Sequence, residues 1–311
     1  MLKNCVWQYV IKQTTNKAIC RNVVSIRSPH QHRRTKVLSN LHHERLALTV
    51  SYVNRQSFST YTKTEEVRGH KGCRISVSIV GSGPSGCYTA KYLNMALKKN
   101  GEKLGIDGVD IDMIESLPTP FGLVRSGVAP DHPEVKNVEN DFSALFESTS
   151  DETSIQLWGN VHVGKDISLA ELRSLYDVVI LAYGCESNKK LGIEGEDSLK
   201  GILSAREFVA WYNGHPDYVH IGNQIHELIS DPENSQVVVI GQGNVALDCA
   251  RILAKGSNGL YDTDIAKHSL PLLQNGVKTT TVLGRRGHVQ GAFTIKVCLF
   301  LFFFWAGTVE I

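Results

Sequence analysis

Two glycine-rich turns, at Gly81 and Gly241, constrain the fold of this 311-residue chain more than any other feature. The first is Gly81-Ser82-Gly83-Pro84-Ser85-Gly86. The apolar run Ile75-Ser76-Val77-Ser78-Ile79-Val80 leads into it, and Cys87 to Leu93 leaves it with a helical pattern. The second unit repeats the plan. Val237-Val238-Val239-Ile240 reads as the strand, Gly241-Gln242-Gly243-Asn244-Val245-Ala246 as the turn and Leu247 to Leu253 as the helix. Strand, glycine turn, helix is the context that a dinucleotide-binding fingerprint needs. Gly81 makes the tight turn, Gly83 lets the backbone approach a pyrophosphate, and Gly86 lets helix and strand close up. Ala246 fills that third place in the second unit, where close packing tolerates alanine. The helix that follows offers unpaired N–H groups and a positive dipole end to the phosphates.

The strand after each turn sets the preference for a cofactor. Val109-Asp110-Ile111-Asp112-Met113-Ile114-Glu115 ends in an acid. A carboxylate there accepts ribose hydroxyls and repels a 2′-phosphate, so the first unit suits FAD or NAD and not NADP. Glu115 lies 34 residues after Gly81, and residues 98–108 read as an inserted polar loop that accounts for the distance. In the second unit Thr279 to Gly284 is followed by Arg285-Arg286-Gly287. Two arginines at the ribose end grip a 2′-phosphate with forked, charge-assisted hydrogen bonds, which suits NADPH. Opposite preferences in one chain point to hydride transfer from NADPH to a flavin. The flavin carries that chemistry, so no catalytic side chain is assigned. His132, in Ala129-Pro130-Asp131-His132-Pro133, is as readily structural as a flavin contact.

The remaining segments are less specific. Asp177 to Gly184 reads as a buried strand of the first sheet, Pro118 to Pro133 as a long functional loop, and 214–235 as a polar surface connection. Hydrophobic content of 42% and charged content of 21% are those of a soluble globular chain that builds its core without disulfides. The seven cysteines include no C-x-x-C pair, which argues against a zinc ribbon, an iron–sulfur site or a redox disulfide, and no metal site is assigned. Cys87 and Cys249 read as small buried residues of their helices. Residues 1–64 hold eleven Lys and Arg against one acid, Glu44, leaving 22 basic and 30 acidic residues in 65–311. An acid-poor, Arg- and Ser-bearing start without a long apolar core is expected to be a mitochondrial presequence. A basic arm for nucleic acid is the bland alternative, and no nucleic-acid partner is expected.

Four segments resemble the adrenodoxin (ferredoxin) reductase family. They are Pro120-Phe121-Gly122-Leu123-Val124-Arg125-Ser126-Gly127-Val128-Ala129-Pro130-Asp131-His132-Pro133 with its continuation to Val138, Ala205 to Gly214, Gly241 to Leu253, and Ala292-Phe293-Thr294-Ile295-Lys296. The resemblance runs from about 74 to 296. It implies an α/β fold of two Rossmann-like dinucleotide-binding domains, with the NADP domain inserted in the FAD domain. The expected boundaries are 71–202 for the FAD-binding part and 203–296 for the NADP-binding part. FAD contacts are implied at Gly81, Gly83, Pro84, Ser85, Gly86, Glu115, Leu123 and Val163. NADP contacts are implied at Gln242, Gly243, Asn244, Val245, Arg285 and Arg286. The family passes electrons from NADPH through FAD to a small acidic [2Fe–2S] ferredoxin in the mitochondrial matrix. Neither the implied enzyme nor this sequence has a membrane span, although peripheral membrane association is compatible with both.

The resemblance stops at Lys296, where the family continues and returns to its FAD domain. Val297 to Ala306 is ten apolar residues in a row, too short for a bilayer span of roughly 20. A retained intron, read from a GT start as Val297-Cys298, would encode such a Phe-rich run. The C-terminal return of the FAD domain is therefore expected to be missing, and 297–311 to be an atypical apolar tail. The alternative to an active reductase is then a catalytically inactive truncated product with residual nucleotide binding. A disulfide reductase of the thioredoxin-reductase type lacks its C-x-x-C here. A glutamate-synthase-like flavin module fits the Gly127 to Glu134 segment less well.

Overall fold

The computed structural model describes residues 73–147, 150–185, 188, 190–231, 235–273, 276–285, 287, 290–294 and 308–310. The expected presequence (1–64), Arg286 and the apolar run 297–306 lie outside these described residues. Two compact units are formed. The first takes the chain up to Gly122 and again from Glu139 to Gly184; the second takes Leu123–Val138 and the chain from Cys185 onward.

The first unit opens with β1 (Cys73–Val80), α1 (Pro84–Leu104) and β2 (Ile106–Ile114). Two short helices, α2 (Leu123–Gly127) and α3 (Pro133–Lys136), follow in the second unit. The chain then continues through α4 (Val138–Glu147), β3 (Thr153–Trp158), α5 (Leu169–Leu175) and β4 (Val178–Leu181). The sheet is parallel throughout, in the order β3-β2-β1-β4, which is the start of a doubly wound dinucleotide fold. β1 is central, and its last four residues are buried on both faces, Ser78 included. Val80 pairs with Ile114 on one side and Leu181 on the other, so three strand ends meet where Gly81 turns. Val80, Ile114, Val161, Ile167, Leu172 and Val179 form the core beneath that edge. Asp112, inside β2, accepts from the Trp158 indole at 2.9 Å and the Tyr176 hydroxyl at 2.7 Å, and burial raises its carboxyl above the usual range.

The expected loop at 98–108 is instead the last turns of α1 and the start of β2, joined at Gly105. Asn100-Gly101 looks like a breaker, yet Gly101 is buried within the helix. A Cβ there would stand 2.8 Å from the Ile106 carbonyl oxygen, so the glycine serves close packing and not a turn. The distance from Gly81 to Glu115 therefore comes from a long helix.

The second unit continues with α6 (Ala205–Tyr212), a 3-10 turn at Pro216–Ile221, α7 (Gly222–Ile229), β5 (Gln236–Ile240), α8 (Asn244–Lys255), a 3-10 turn at Leu270–Leu273, β6 (Thr279–Leu283) and β7 (Thr308–Glu310). Its sheet is parallel, in the order β5-β6-β7. The end of the expected atypical tail thus supplies a strand, with Thr308 opposite Thr279. The 214–235 stretch is not a bare connection. Ile221, Ile225 and Ile229 recur at helical spacing and are buried with Trp211, Tyr212, Ile252 and Leu273.

The expected loop from Pro118 to Pro133 also differs, because it carries α2 and the start of α3. Residues 123–138 were expected in the FAD-binding part and instead cluster with the second unit. Charge pairing explains this. The Asp131 carboxylate accepts from Arg251 Nε at 2.7 Å, Arg251 Nη2 at 2.9 Å and Lys255 Nζ at 2.7 Å. Arg251 also pairs with Asp248 at 2.7 Å, and Lys136 with Asp264 at 2.7 Å. The side chains of Asp131 and Arg251 are each 3% exposed.

Burial alone would raise the Asp131 carboxyl, but Arg251 and Lys255 outweigh it and hold the group at about 2, against an ordinary 3.8. A depressed folded value stabilises above the unfolded value and is lost as pH falls through the folded one. Asp131 is therefore expected to contribute about 2 kcal/mol above pH 4, lost on acidification toward pH 2. Asp131→Asn leaves Arg251 under-compensated and should cost about 3 kcal/mol or more. Urea unfolding followed between pH 2 and pH 6 checks both: the wild-type protein should lose stability to acid, and the variant should be weaker and flatter over that range.

Candidate dinucleotide-binding turns

Gly81 has φ +103, and a Cβ there would lie 2.5 Å from the Ala182 carbonyl oxygen. No other residue makes this turn and also lets β4 pass so closely. The turn is fastened by Gly81 N–H donating to the Ile114 carbonyl at 2.7 Å and Ala182 N–H to the Val80 carbonyl at 2.7 Å. Gly86 is buried against it, since a Cβ there would fall on the Gly81 carbonyl oxygen. Gly83 differs: a Cβ would meet only the Gly122 Cα, at 3.9 Å, so its open side is a cradle for an approaching ligand.

The two helices that follow the turns have glycine N-caps and lack the capping boxes of α5 and α6. α5 and α6 each carry a complete capping box, Ser168 with Glu171 and Ser204 with Glu207. At α1 and α8 the N-caps are Gly83 and Gly243, with no side-chain cap and no acid in the first turn. Their first N–H groups are left for an anion, which is the donor set a pyrophosphate requires. Around Gly243 nothing lies within 4 Å of a built Cβ. Both turns therefore fit a dinucleotide.

Glu115 follows β2 and is buried. Its Oε2 accepts from the Ser82 N–H at 3.0 Å and the Ser82 hydroxyl at 2.6 Å; its Oε1 accepts from the Ser116 hydroxyl at 3.2 Å and the Leu117 N–H at 3.1 Å. A ribose hydroxyl would share these oxygens with two serine hydroxyls that can rotate away. Pro84 and Ser85 open α1, and Val163 packs on the cluster holding Val80 and Ile114, so these expected contacts gather at one strand edge. Leu123 is exposed and belongs to the second unit. His132 also lies in the second unit, its Nδ1 3.1 Å from Glu134 Oε1.

Sequence reasoning missed two residues of the first site. Phe121 is buried at φ +85, a left-handed conformation that is strained for a side-chain-bearing residue. Its N–H donates to the Ser82 carbonyl at 3.0 Å, and a Cβ on Gly122 would stand 3.1 Å from the Gly83 Cα. The Pro120-Phe121-Gly122 turn is thus folded onto the glycine loop. The signal was an aromatic followed by glycine after a proline. Its partner lay almost 40 residues upstream, between Ser82 and Phe121.

In the second unit Ala292 N–H donates to the Gln242 carbonyl at 2.8 Å, and Thr294 N–H to Asn244 Oδ1 at 2.8 Å. Residues 292–294 therefore brace this turn. Val245 is exposed in the first turn of α8, and Arg285 is exposed just beyond β6. Cys87 and Cys249 are buried, and burial pushes both thiols up to about 12. Among the described residues no group of three or more His, Cys, Asp and Glu could hold a metal ion. No described helix is long and apolar enough to cross a membrane.

Residues 75–288 match the model of the pyridine nucleotide-disulphide oxidoreductase family. The chain is 48% identical over 246 residues to the mitochondrial NADPH:adrenodoxin oxidoreductase of Arabidopsis thaliana, covering 79% of this chain and 46% of the relative. It is 46% identical over 240 residues to the Homo sapiens protein of that name, covering 77% and 42%. It is 47% identical over 219 residues to the NADPH-ferredoxin reductase FprA of Mycobacterium leprae, covering 70% and 44%. Among solved structures, Mycobacterium tuberculosis FprA in complex with NADPH superimposes with a TM-score of 0.65 at 41% identity, covering 74% of this chain and 47% of that one. The chain thus spans about half the length of the relatives it matches. With two parallel sheets, each leading into a glycine turn and an uncapped helix, and with that match, the chain belongs to the pyridine nucleotide-disulphide oxidoreductase family, in which it is similar to the NADPH:adrenodoxin and NADPH-ferredoxin reductases.

Proposed function

We propose that this chain carries the two nucleotide sites of a flavoprotein that takes electrons from NADPH through FAD to a [2Fe–2S] ferredoxin. One observation carries the reading: two glycine turns with uncapped helix N-termini differ in charge at the ribose end, with Glu115 after β2 and Arg285 after β6. In the first unit Gly83 and the N–H groups opening α1 would hold the FAD pyrophosphate, and Glu115 would accept from the adenosine ribose. Val163 would lie beside the adenine, and the resemblance implies a further contact at Leu123. In the second unit the main chain of Gln242, Gly243, Asn244 and Val245 would receive the NADP pyrophosphate, and Arg285 with Arg286 would grip the 2′-phosphate. FAD supplies a ring that accepts a hydride and releases electrons singly. The chain's own residues bind and orient, so no side chain is asked to move a proton.

The relatives named mitochondrial and the basic, acid-poor 1–64 segment together support a mitochondrial matrix location. An acidic ferredoxin would dock on a local basic patch, since residues 65–311 hold more acids than bases.

The full chain, expressed and purified, should carry flavin absorbance. It should also reduce cytochrome c when NADPH and a mitochondrial ferredoxin are added, with NADH a poor substitute. A preparation with neither flavin nor ferredoxin-dependent turnover would sink the proposal. Arg285→Ala should weaken NADPH by about tenfold or more and leave NADH unchanged, because one charge-assisted hydrogen bond is worth roughly 1.5–3 kcal/mol. Glu115→Gln turns an amide N–H2 toward buried donors; it should cost about 1–3 kcal/mol and lower flavin retention, read by thermal unfolding and the absorbance ratio.

A further inference from the structure

The two units can be aligned through their strand registers. Val80 pairs with Ile114 and Ile240 with Leu283. The next N–H repeats the same bond, Gly81 to the Ile114 carbonyl at 2.7 Å and Gly241 to the Leu283 carbonyl at 2.9 Å. Ser82 therefore corresponds to Gln242, and Glu115 to Gly284. In the first unit a short loop residue meets a long acid: Ser82 donates to Glu115. In the second the lengths are exchanged. A Cβ built on Gly284 would fall on Cγ, Cδ and Nε2 of Gln242, so the carboxamide crosses from the glycine turn to the strand end and lies over residue 284. A place filled by a carboxylate in one unit is filled by a neutral amide in the other.

We infer that Gln242 is a specificity-determining residue for a 2′-phosphorylated adenosine, and that Gly284 is a positioning residue that makes room for it. The inference rests on the NADP reading of the second unit. A carboxylate at this strand end takes the ribose hydroxyls and rejects a phosphate there. The Gln242 amide brings no charge and two N–H donors to the same place, directly before Arg285. The bare strand end is what permits this. A methyl at 284 would displace only the flexible end of Gln242, so the fold should tolerate it.

The test is calorimetric binding of adenosine 2′,5′-bisphosphate and of 5′-AMP to the full chain. The wild-type protein should prefer the bisphosphate by about tenfold or more, as charge-assisted phosphate binding implies. Gly284→Ala should cut that ratio several-fold with an unchanged thermal unfolding midpoint, and Gln242→Ser combined with Gly284→Glu should abolish or invert it. If the wild-type preference is present and neither substitution moves the ratio, the inference falls while the NADP reading stands. If the wild-type protein shows no preference, both fall. Should the double variant fail to fold, Gly284→Ala alone decides.

Discussion

The buried carboxylate of Glu115 is the interaction on which the first unit's site depends. It takes the main-chain N–H and the hydroxyl of Ser82, and so fixes the middle of the glycine turn to the end of β2. Its own main chain extends the tie to the next strand, with Glu115 N–H donating to the Trp158 carbonyl and its carbonyl accepting from Val161 N–H, each at 2.9 Å. Hydrogen bonds to an ionised group are worth roughly 1.5–3 kcal/mol, and a buried carboxylate oxygen left without a partner is costly. The Ser82 carbonyl in turn receives Phe121 N–H, which holds the strained Pro120-Phe121-Gly122 turn against Gly83. One acid thus sets the shape of the turn, and that turn supports the second layer of the site.

The second unit has no acid in the corresponding place, and its turn is held from outside. Ala292 and Thr294 donate to the main chain of Gln242 and the side chain of Asn244, while Gly284 leaves space for the Gln242 side chain. Further along α8, Arg251 and Lys255 gather Asp131 from a segment more than a hundred residues earlier in the chain. A buried arginine is costly without a partner, and this pairing commits Leu123–Val138 to the second unit.

Sequence and structure part company where glycine, proline or polarity was taken at face value. Gly101 falls in the stretch that reads as an inserted polar loop, but its role is to let α1 lie close to the start of β2. Residues 214–235 looked polar because three isoleucines are dispersed among charged and amide side chains. Only a helix gathers Ile221, Ile225 and Ile229 onto one buried face. The Pro118 to Pro133 stretch showed no period because its helices are only four or five residues long.

The sequence by itself determined the two strand–turn–helix units, the parallel α/β class and the opposite charges beyond β2 and β6. These are local features: glycine spacing, apolar runs of strand length, and one acid or arginine a fixed step past a strand. Tertiary structure alone decided which residues those features meet. It placed Ser82 on Glu115, Phe121 on Ser82, Asp131 on Arg251, and the Gln242 amide over Gly284. It also brought Thr308–Glu310 beside β6, where the apolar tail suggested no such partner. Each of these is a contact between residues distant in sequence, whose energy comes from burying a charge, a hydrogen bond or a bare backbone against one specific partner. No pattern along the chain names that partner.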